Sequence, residues 1–440
     1  MTTYSAVRTT GIYCRPGCGA KPLAENVQTF ELAAAAEAAG YRACLRCRPY
    51  RVAGTVADDA PELVCRAVQL IIGGALDEAD ESALGARLGL SPRHLRRMFN
   101  DHLGVTPGQF ARSRRAHFAR RLLDDSELTI ADVAFASGFG SLRQFNRAMR
   151  EVFRSTPREL RERRRRTDRL VADGGLVLRM PFTPPYDWDA MVGFLAERAI
   201  PGVESVVDGI YRRTIGLDGE PGLLEIAPGG ADHLLLRAHL PYWEGVIHVV
   251  ERAARLVGLE TEPLLAAAQL AGDPVIGPLI ESRPGIRVPG AWAPFETAVQ
   301  AAIRDQSPAE ADELLAGLVK VAGTPVPGLD HGLTHAFPSA EAVYSAPHAA
   351  GEAVQSLAAE VAAGNIRLDG AESLENLVAS LTAIPGITEQ AAHEIALRLG
   401  ARDAFPRTPT LESEAWHPWR ALAGIHLLTA DREGGQASVV

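Results

Sequence analysis

Four of the five cysteines in this 440-residue chain stand within the first 47 residues, as two close pairs: Cys14-Arg-Pro-Gly-Cys18 and Cys44-Leu-Arg-Cys47. Thiols three or four residues apart meet across one tight turn, and two such turns can surround an ion tetrahedrally. The spacing predicts a zinc site made of four thiolates, with the Ala-rich stretch 31–39 as a helix between the pairs. A module this small has little core, and a metal is the staple it needs. Four reduced, buried cysteines without a metal fit poorly beside Arg15, Arg46 and Arg48. Cys65 lies apart on the apolar face of a predicted helix and reads as core.

A chain this long exceeds a single core, and we expect a multidomain protein with α+β and all-α parts. The expected divisions are 1–52, 59–166, 172–285 and 286–440. The N-terminus MTTYSAVRTT has no basic start or apolar run, and no stretch has the length of a membrane span, so a soluble, cytoplasmic protein with no membrane partner is expected. The net charge of −9 hides a division. Residues 1–169 carry 28 Lys+Arg against 19 Asp+Glu, whereas 170–440 carry 17 against 35. Phosphate binding follows the local patch rather than the mean, so the front half is the expected partner of nucleic acid.

Between 59 and 166 the pattern is helical. ESALGARLGLSPRHLRRMFNDHLGVTPGQF has apolar residues at helical spacing, a turn at Gly89 and a helix start at Ser91-Pro92. TIADVAFASGFGSLRQFNRAMREVFRSTPREL repeats the plan, with Gly138 or Gly140 as the turn and Ser141 as the cap. A long helix, about 106–123, joins the two. Each second helix of such a pair can enter a major groove of double-stranded DNA. The side chains placed to reach DNA are Arg93, His94, Arg96 and Arg97 in the first unit. In the second they are Arg143, Gln144, Asn146, Arg147 and Arg150.

Two resemblances join here. AVRTTGIYCRPGCGAKPLAENVQTF…AAGYRACLRCRP resembles the zinc module of the Ada family of DNA alkylation-response proteins, and the double helix-turn-helix resembles the AraC/XylS DNA-binding domain. The first resemblance implies that Cys14 is both zinc ligand and methyl acceptor, taking a methyl group from a methylated DNA phosphate once per protein. A zinc-held thiolate stays deprotonated yet nucleophilic. Methylation removes one negative charge from the four-thiolate centre, which implies tighter DNA binding and a repair event read as a transcriptional signal. Family members usually carry a further helix and strand before AVRTTGIYC, so a late start or an incomplete edge is expected.

The rear half alternates like strands around a helix in LRMPFTPPYDWDAMVGFLAERAIPGVESV and the segments after it. It resembles the α+β lobe of AlkA-type 3-methyladenine DNA glycosylases, and LTAIPGITEQAAHEIALRLGARDAFP resembles their helix-hairpin-helix, with Gly386 in the hairpin that faces a DNA phosphate. The resemblance implies a catalytic aspartate at the seventh residue counted from Asp403, and that position is Pro409. Proline cannot stabilise an oxocarbenium ion or help a water attack it. The family's pocket aromatics become Gln390 and Glu394, and Trp419 alone stands where the family has one. A relocated acid could be Glu394, Asp403, Glu412 or Glu414.

The expected function is therefore a DNA alkylation-damage response protein. A methyl-accepting, zinc-bound regulator, acting with RNA polymerase near the nucleoid, is fused to a glycosylase-like domain that has lost its catalytic carboxylate. The alternatives are a working 3-methyladenine glycosylase with an unorthodox acid, and a plain AraC-type transcription factor with a structural zinc. No PCHRV-like motif supports direct repair of O6-alkylguanine.

Overall fold

The computed structural model describes residues 3–20, 22–51, 60–77, 79–165, 168–170, 174–259, 263–346, 351–407 and 411–437, except the side chains of 411–412 and 433–437. Two compact units emerge. One comprises Met1–Thr183, Gly229–Arg237 and Tyr242–Glu251; the other comprises Pro184–Pro228, Ala238–Pro241 and Arg252–Val440.

The first unit begins with β1 (Tyr4–Val7), β2 (Ile12–Cys14), β3 (Val27–Phe30), α1 (Ala33–Ala38) and β4 (Arg42–Ala43), in the sheet order β3-β1-β2-β4. β1 runs antiparallel to β2 and β3, whereas β2 and β4 are parallel, with Tyr13 opposite Ala43. That register decides the metal site. Cys14 and Cys44 each come next to this residue pair, and the Cys44 N–H donates to the Tyr13 carbonyl at 3.0 Å. Tyr13 packs edge-on against Tyr4 with ring centres 5.7 Å apart, and both rings are buried.

Among the described residues, seven α-helices follow: α2 (Glu62–Ile72), α3 (Glu81–Arg87), α4 (Pro92–Leu103), α5 (Pro107–Asp125), α6 (Ile130–Ala136), α7 (Leu142–Phe153) and α8 (Pro157–Glu162). A repeat of 50 residues relates α4 and α5 to α7 and α8. Ser91 caps α4 as Ser141 caps α7, and the capping boxes of Thr106 and Thr156 start α5 and α8, each with proline at the first helical position. α4 buries Leu95, Met98, Phe99 and Leu103, and α7 buries Phe145, Ala148, Met149, Val152 and Phe153. This i, i+3, i+4 spacing leaves the opposite face of each helix to solvent. Gly138 makes the second turn, at φ +75°. Cys65 is half-buried on α2, its thiol donating to the Ala60 carbonyl at 3.4 Å. β5 (Leu176–Pro181) then lies against α5.

The second unit carries α9 (Trp188–Glu197), β6 (Glu204–Val207), β7 (Ile210–Leu217) and β8 (Glu220–Gly230). β6, β7 and β8 form an antiparallel meander. The chain passes into the first unit and back through β9 (His233–His239) and α10 (Val246–Leu256). Helices then dominate: α11 (Pro263–Leu270), α12 (Ile276–Ser282), α13 (Pro294–Gln306), α14 (Ala311–Ala322), α15 (Ala340–Ser345) and α16 (Glu352–Ala362). A two-strand pair, β10 (Thr324–Pro325) and β11 (His335–Ala336), interrupts them before α17 (Leu374–Thr382), α18 (Glu389–Arg398), α19 (Leu411–Glu414) and α20 (Arg420–Ala437). The meander is joined to α13 by Arg213, which is 1% exposed. It bonds Glu296 at 2.7 Å and Glu204 at 3.3 Å, with its guanidinium over the Trp292 ring. A buried charge needs such pairing, because an unpaired one would cost several kcal/mol. The architecture is thus multidomain: a four-cysteine module, a double helix-turn-helix, an α+β lobe and a helix-hairpin-helix domain. Among the described residues, no helix is long and apolar enough to cross a membrane.

Candidate metal centre, DNA-reading helices and base cleft

The ligand atoms of Cys14, Cys18, Cys44 and Cys47 all lie within 4.8 Å of one another. Each pair is shaped by a local turn. The Cys18 N–H donates to the Arg15 carbonyl, and Gly17 adopts φ +71°. In the second turn the Arg48 N–H donates to the Cys44 carbonyl, and Arg48 itself is left-handed at φ +51°. Arg15 ties the two turns together through Nε to the Cys47 carbonyl at 3.1 Å. Cys14 and Cys44 are buried, Cys18 and Cys47 half-buried.

The surroundings of the bare thiols show what the site requires. Burial, then the neighbouring Cys44 and Cys47, pushes the Cys14 thiol well up. Burial also raises Cys47, to about 12, against the backbone bond it receives from Arg15. Cys44 is lowered: burial would raise it, but the N–H groups of Cys47 and Arg46 stabilise its thiolate. One thiol ionises at the expense of the others unless a dication sits among them. Four sulfur donors at this spacing fit Zn2+.

The central side chain of β2 also reaches the helical part of the unit. The Tyr13 hydroxyl donates to Glu37 at 2.6 Å, and His117 on α5 meets the same carboxylate oxygen at 2.6 Å. Sequence reading missed this link, because its members lie 24 and 80 residues apart.

On α4, Arg93, His94, Arg96 and Arg97 are all exposed, and on α7 so are Arg143, Gln144, Arg147 and Arg150. The structure brings each set onto the solvent face of its helix, opposite the buried stripe. Some are engaged: Arg96 pairs with Glu81, Arg147 lies 3.7 Å from Glu151, and half-buried Asn146 donates to the Leu142 carbonyl at 2.8 Å.

In the second unit, the hairpin between α17 and α18 is held from α13. Gly386 sits at φ +86°, where a Cβ would come within 2.5 Å of the Gln306 amide. That amide donates to the Gly386 carbonyl at 2.6 Å. Thr388 caps α18 and donates its hydroxyl to Asp305 at 2.7 Å.

Beside the hairpin a cleft of about 510 Å³ opens between α13, α18 and α20. Gln390 and Glu394 line it, with Arg198, Gln300, Arg304 and Arg398, and no aromatic side chain lines it among the described residues. The Glu394 carboxylate lies 3.6 Å from Arg198 Nε. Trp419 is not in this wall: it is buried, with its indole N–H donating to Gln269 at 2.5 Å. Asp403 is occupied as well, gripped by two nitrogens of Arg420 at 2.9 and 2.5 Å and by His417 at 2.9 Å. Burial would raise its pKa, but these bonds hold it below the usual carboxylate range. Glu414 is exposed, 3.6 Å from the same arginine. Pro409 and the Glu412 side chain lie outside the described residues.

Fold and sites together define a DNA-binding protein in which a four-cysteine metal module and a double helix-turn-helix share a chain with a helix-hairpin-helix lobe. Comparison with known proteins gives the same parts. The metal binding domain of Ada matches residues 2–50, a helix-turn-helix domain matches 84–163, and the AlkA N-terminal domain matches 177–293. The probable bifunctional transcriptional activator/DNA repair enzyme AlkA of Mycobacterium tuberculosis is 35% identical over 456 residues, covering 96% of this chain and 92% of that protein. The DNA-3-methyladenine glycosylase 2 of Escherichia coli is 30% identical over 276 residues, covering 56% of this chain and 94% of its own. The Ada protein of Escherichia coli, a bifunctional transcriptional activator/DNA repair enzyme, is 34% identical over 158 residues, covering 36% of this chain and 43% of that protein. The chain belongs to the family of Ada/AlkA-type bifunctional transcriptional activator/DNA repair enzymes.

Proposed function

We propose that this protein is a DNA alkylation-damage sensor and stoichiometric repair protein that binds double-stranded DNA and activates transcription with RNA polymerase. The observation that carries the reading is the four-cysteine cluster at the end of two parallel strands, tied through Tyr13 and Glu37 to the long helix of the DNA-reading module. Bound Zn2+ supplies the charge that keeps the thiols ionised. Cys14 is the methyl acceptor. Its thiolate attacks the methyl carbon of a phosphotriester, an S–C bond forms, and the C–O bond breaks with its electrons left on the phosphate oxygen. The products are a thioether and an ordinary phosphodiester, and the protein is spent. The loss of one thiolate charge lowers repulsion from the DNA backbone, and Arg93, His94, Arg96, Arg97, Arg143, Gln144, Asn146, Arg147 and Arg150 are the groove and phosphate contacts.

The test is intact-mass spectrometry after incubation with methylphosphotriester DNA. One methyl should be gained per chain, mapped to Cys14 and absent in Cys14→Ser. A methyl mapped to Cys18 or Cys47, the more exposed thiols, overturns the assignment.

The helix-hairpin-helix lobe is proposed to bind DNA through the hairpin at Gly386 and to excise alkylated bases weakly at most. An extruded base is normally gripped between aromatic faces, and the described cleft wall has none. A second reading has one observation in its favour: Glu394 sits in the cleft wall, half-buried, its carboxylate 3.6 Å from Arg198 and near the charge of Arg398. Release of methylated adenine from duplex DNA, measured for wild type and Glu394→Gln, decides between them. Base release that the substitution abolishes establishes Glu394 as a relocated acid.

A further inference from the structure

We propose that a cavity of about 320 Å³ in the first unit, with Cys47 of the metal centre in its wall, is a binding site for a phosphate group. Its volume falls at the lower end of the ~300–1,000 Å³ usual for small-molecule sites. Seven arginines line it against three aspartates, so the wall carries a clear excess of positive charge.

The carboxylates are already spent. Arg48 holds Asp168 at 2.5 Å, and Arg51 and Arg179 hold Asp125 at 2.8 and 2.9 Å. Asp232 is bonded to its neighbour His233 at 2.7 Å. These pairs fix the floor, and they leave four guanidinium groups over. Half-buried Arg121 donates to the Arg179 carbonyl and stays protonated at neutral pH, although burial lowers its pKa to about 10. Arg15, Arg46 and Arg165 stand exposed at the rim. Among the described residues none of these four has a carboxylate within ion-pair distance. Arginine forks are matched to phosphate oxygens, which they engage two bonds at a time, so the unmet donors call for a phosphate rather than a neutral ligand.

The anion could be a phosphate of the DNA backbone, because Arg15 and Arg46 flank the metal-binding cysteines, or that of a free phosphate compound. The recognising chemistry is the same. The site stands whether or not Cys14 accepts a methyl group, because neither probe below carries one.

The experiment uses full-length, zinc-loaded protein at fixed ionic strength, titrated with inorganic pyrophosphate and, separately, with a short unmethylated duplex. Wild type should bind at least one probe, and the double variant Arg46→Ala, Arg165→Ala should bind it about tenfold more weakly at unchanged zinc content. A loss confined to the duplex identifies the DNA backbone as the source, and a loss confined to pyrophosphate identifies a free compound. Should Arg46→Ala lower the zinc content, Arg165→Ala alone is read. Equal binding of both probes by wild type and variant, or binding of neither by wild type, overturns the proposal.

Discussion

His248 is a single side chain on which four charged groups converge. Its Nε2 pairs with Asp77, its Nδ1 lies 3.7 Å from Glu251, and those carboxylates are held in turn by Arg115 and Arg114 of α5. Burial would lower its pKa, but the two carboxylates win and raise it to about 9. The unfolded value is about 6.5. The pairing therefore stabilises the first unit fully below pH ~6.5 and is lost as pH rises through about 9, a change on the order of 2 kcal/mol. Thermal melts from pH 6 to 10 should show this decline, and His248→Gln should flatten it. The cluster joins residues 171 positions apart, and no local pattern announces it. The cysteine pairs were legible for the opposite reason: each turn is local, and ligand chemistry fixes its spacing.

Among the elements, the two helix-turn-helix units share one plan but end their second helices differently. α4 ends on Gly104 at φ +67°, whereas the matching residue after α7 is Arg154 at φ +52°. A left-handed conformation costs a residue with a Cβ about 1 kcal/mol or more, and glycine almost nothing. Arg154→Gly should therefore raise stability by roughly 0.5–1 kcal/mol, less the weak contact of the arginine with the Gly40 carbonyl at 3.4 Å. Denaturant melts of the two proteins measure it, and an unchanged or lower midpoint would contradict the strain argument. The caps at Ser91 and Ser141 were visible in sequence, since capping chemistry uses few residue types. The cleft was only half visible. Gln390 and Glu394 do stand in its wall, but nothing in WHPWR tells that Trp419 turns its indole to Gln269, 150 residues earlier.

Taken whole, the chain has a net charge of −9, yet binding to DNA should follow the exposed arginines of α4 and α7. Each phosphate contact adds about 0.9 to the slope of log affinity against log salt. Replacing Arg143 and Arg147 by alanine should lower the measured slope for a non-specific duplex by up to about 2, and replacing two acidic residues of the rear half should leave it nearly unchanged. A slope that tracks net charge instead would mean that the halves act as one field.

The parallel pairing of β2 and β4 carries a liability along with its use. It places Cys14 and Cys44 at the ends of neighbouring strands, and Cys18 and Cys47 complete a group whose sulfurs lie within 4.8 Å of one another. Bound zinc shields the thiols, but once it is stripped they are poised for air oxidation. Protein treated with a chelator in air should fall from five titratable thiols towards one, leaving Cys65, and should then refuse zinc until a reductant is added.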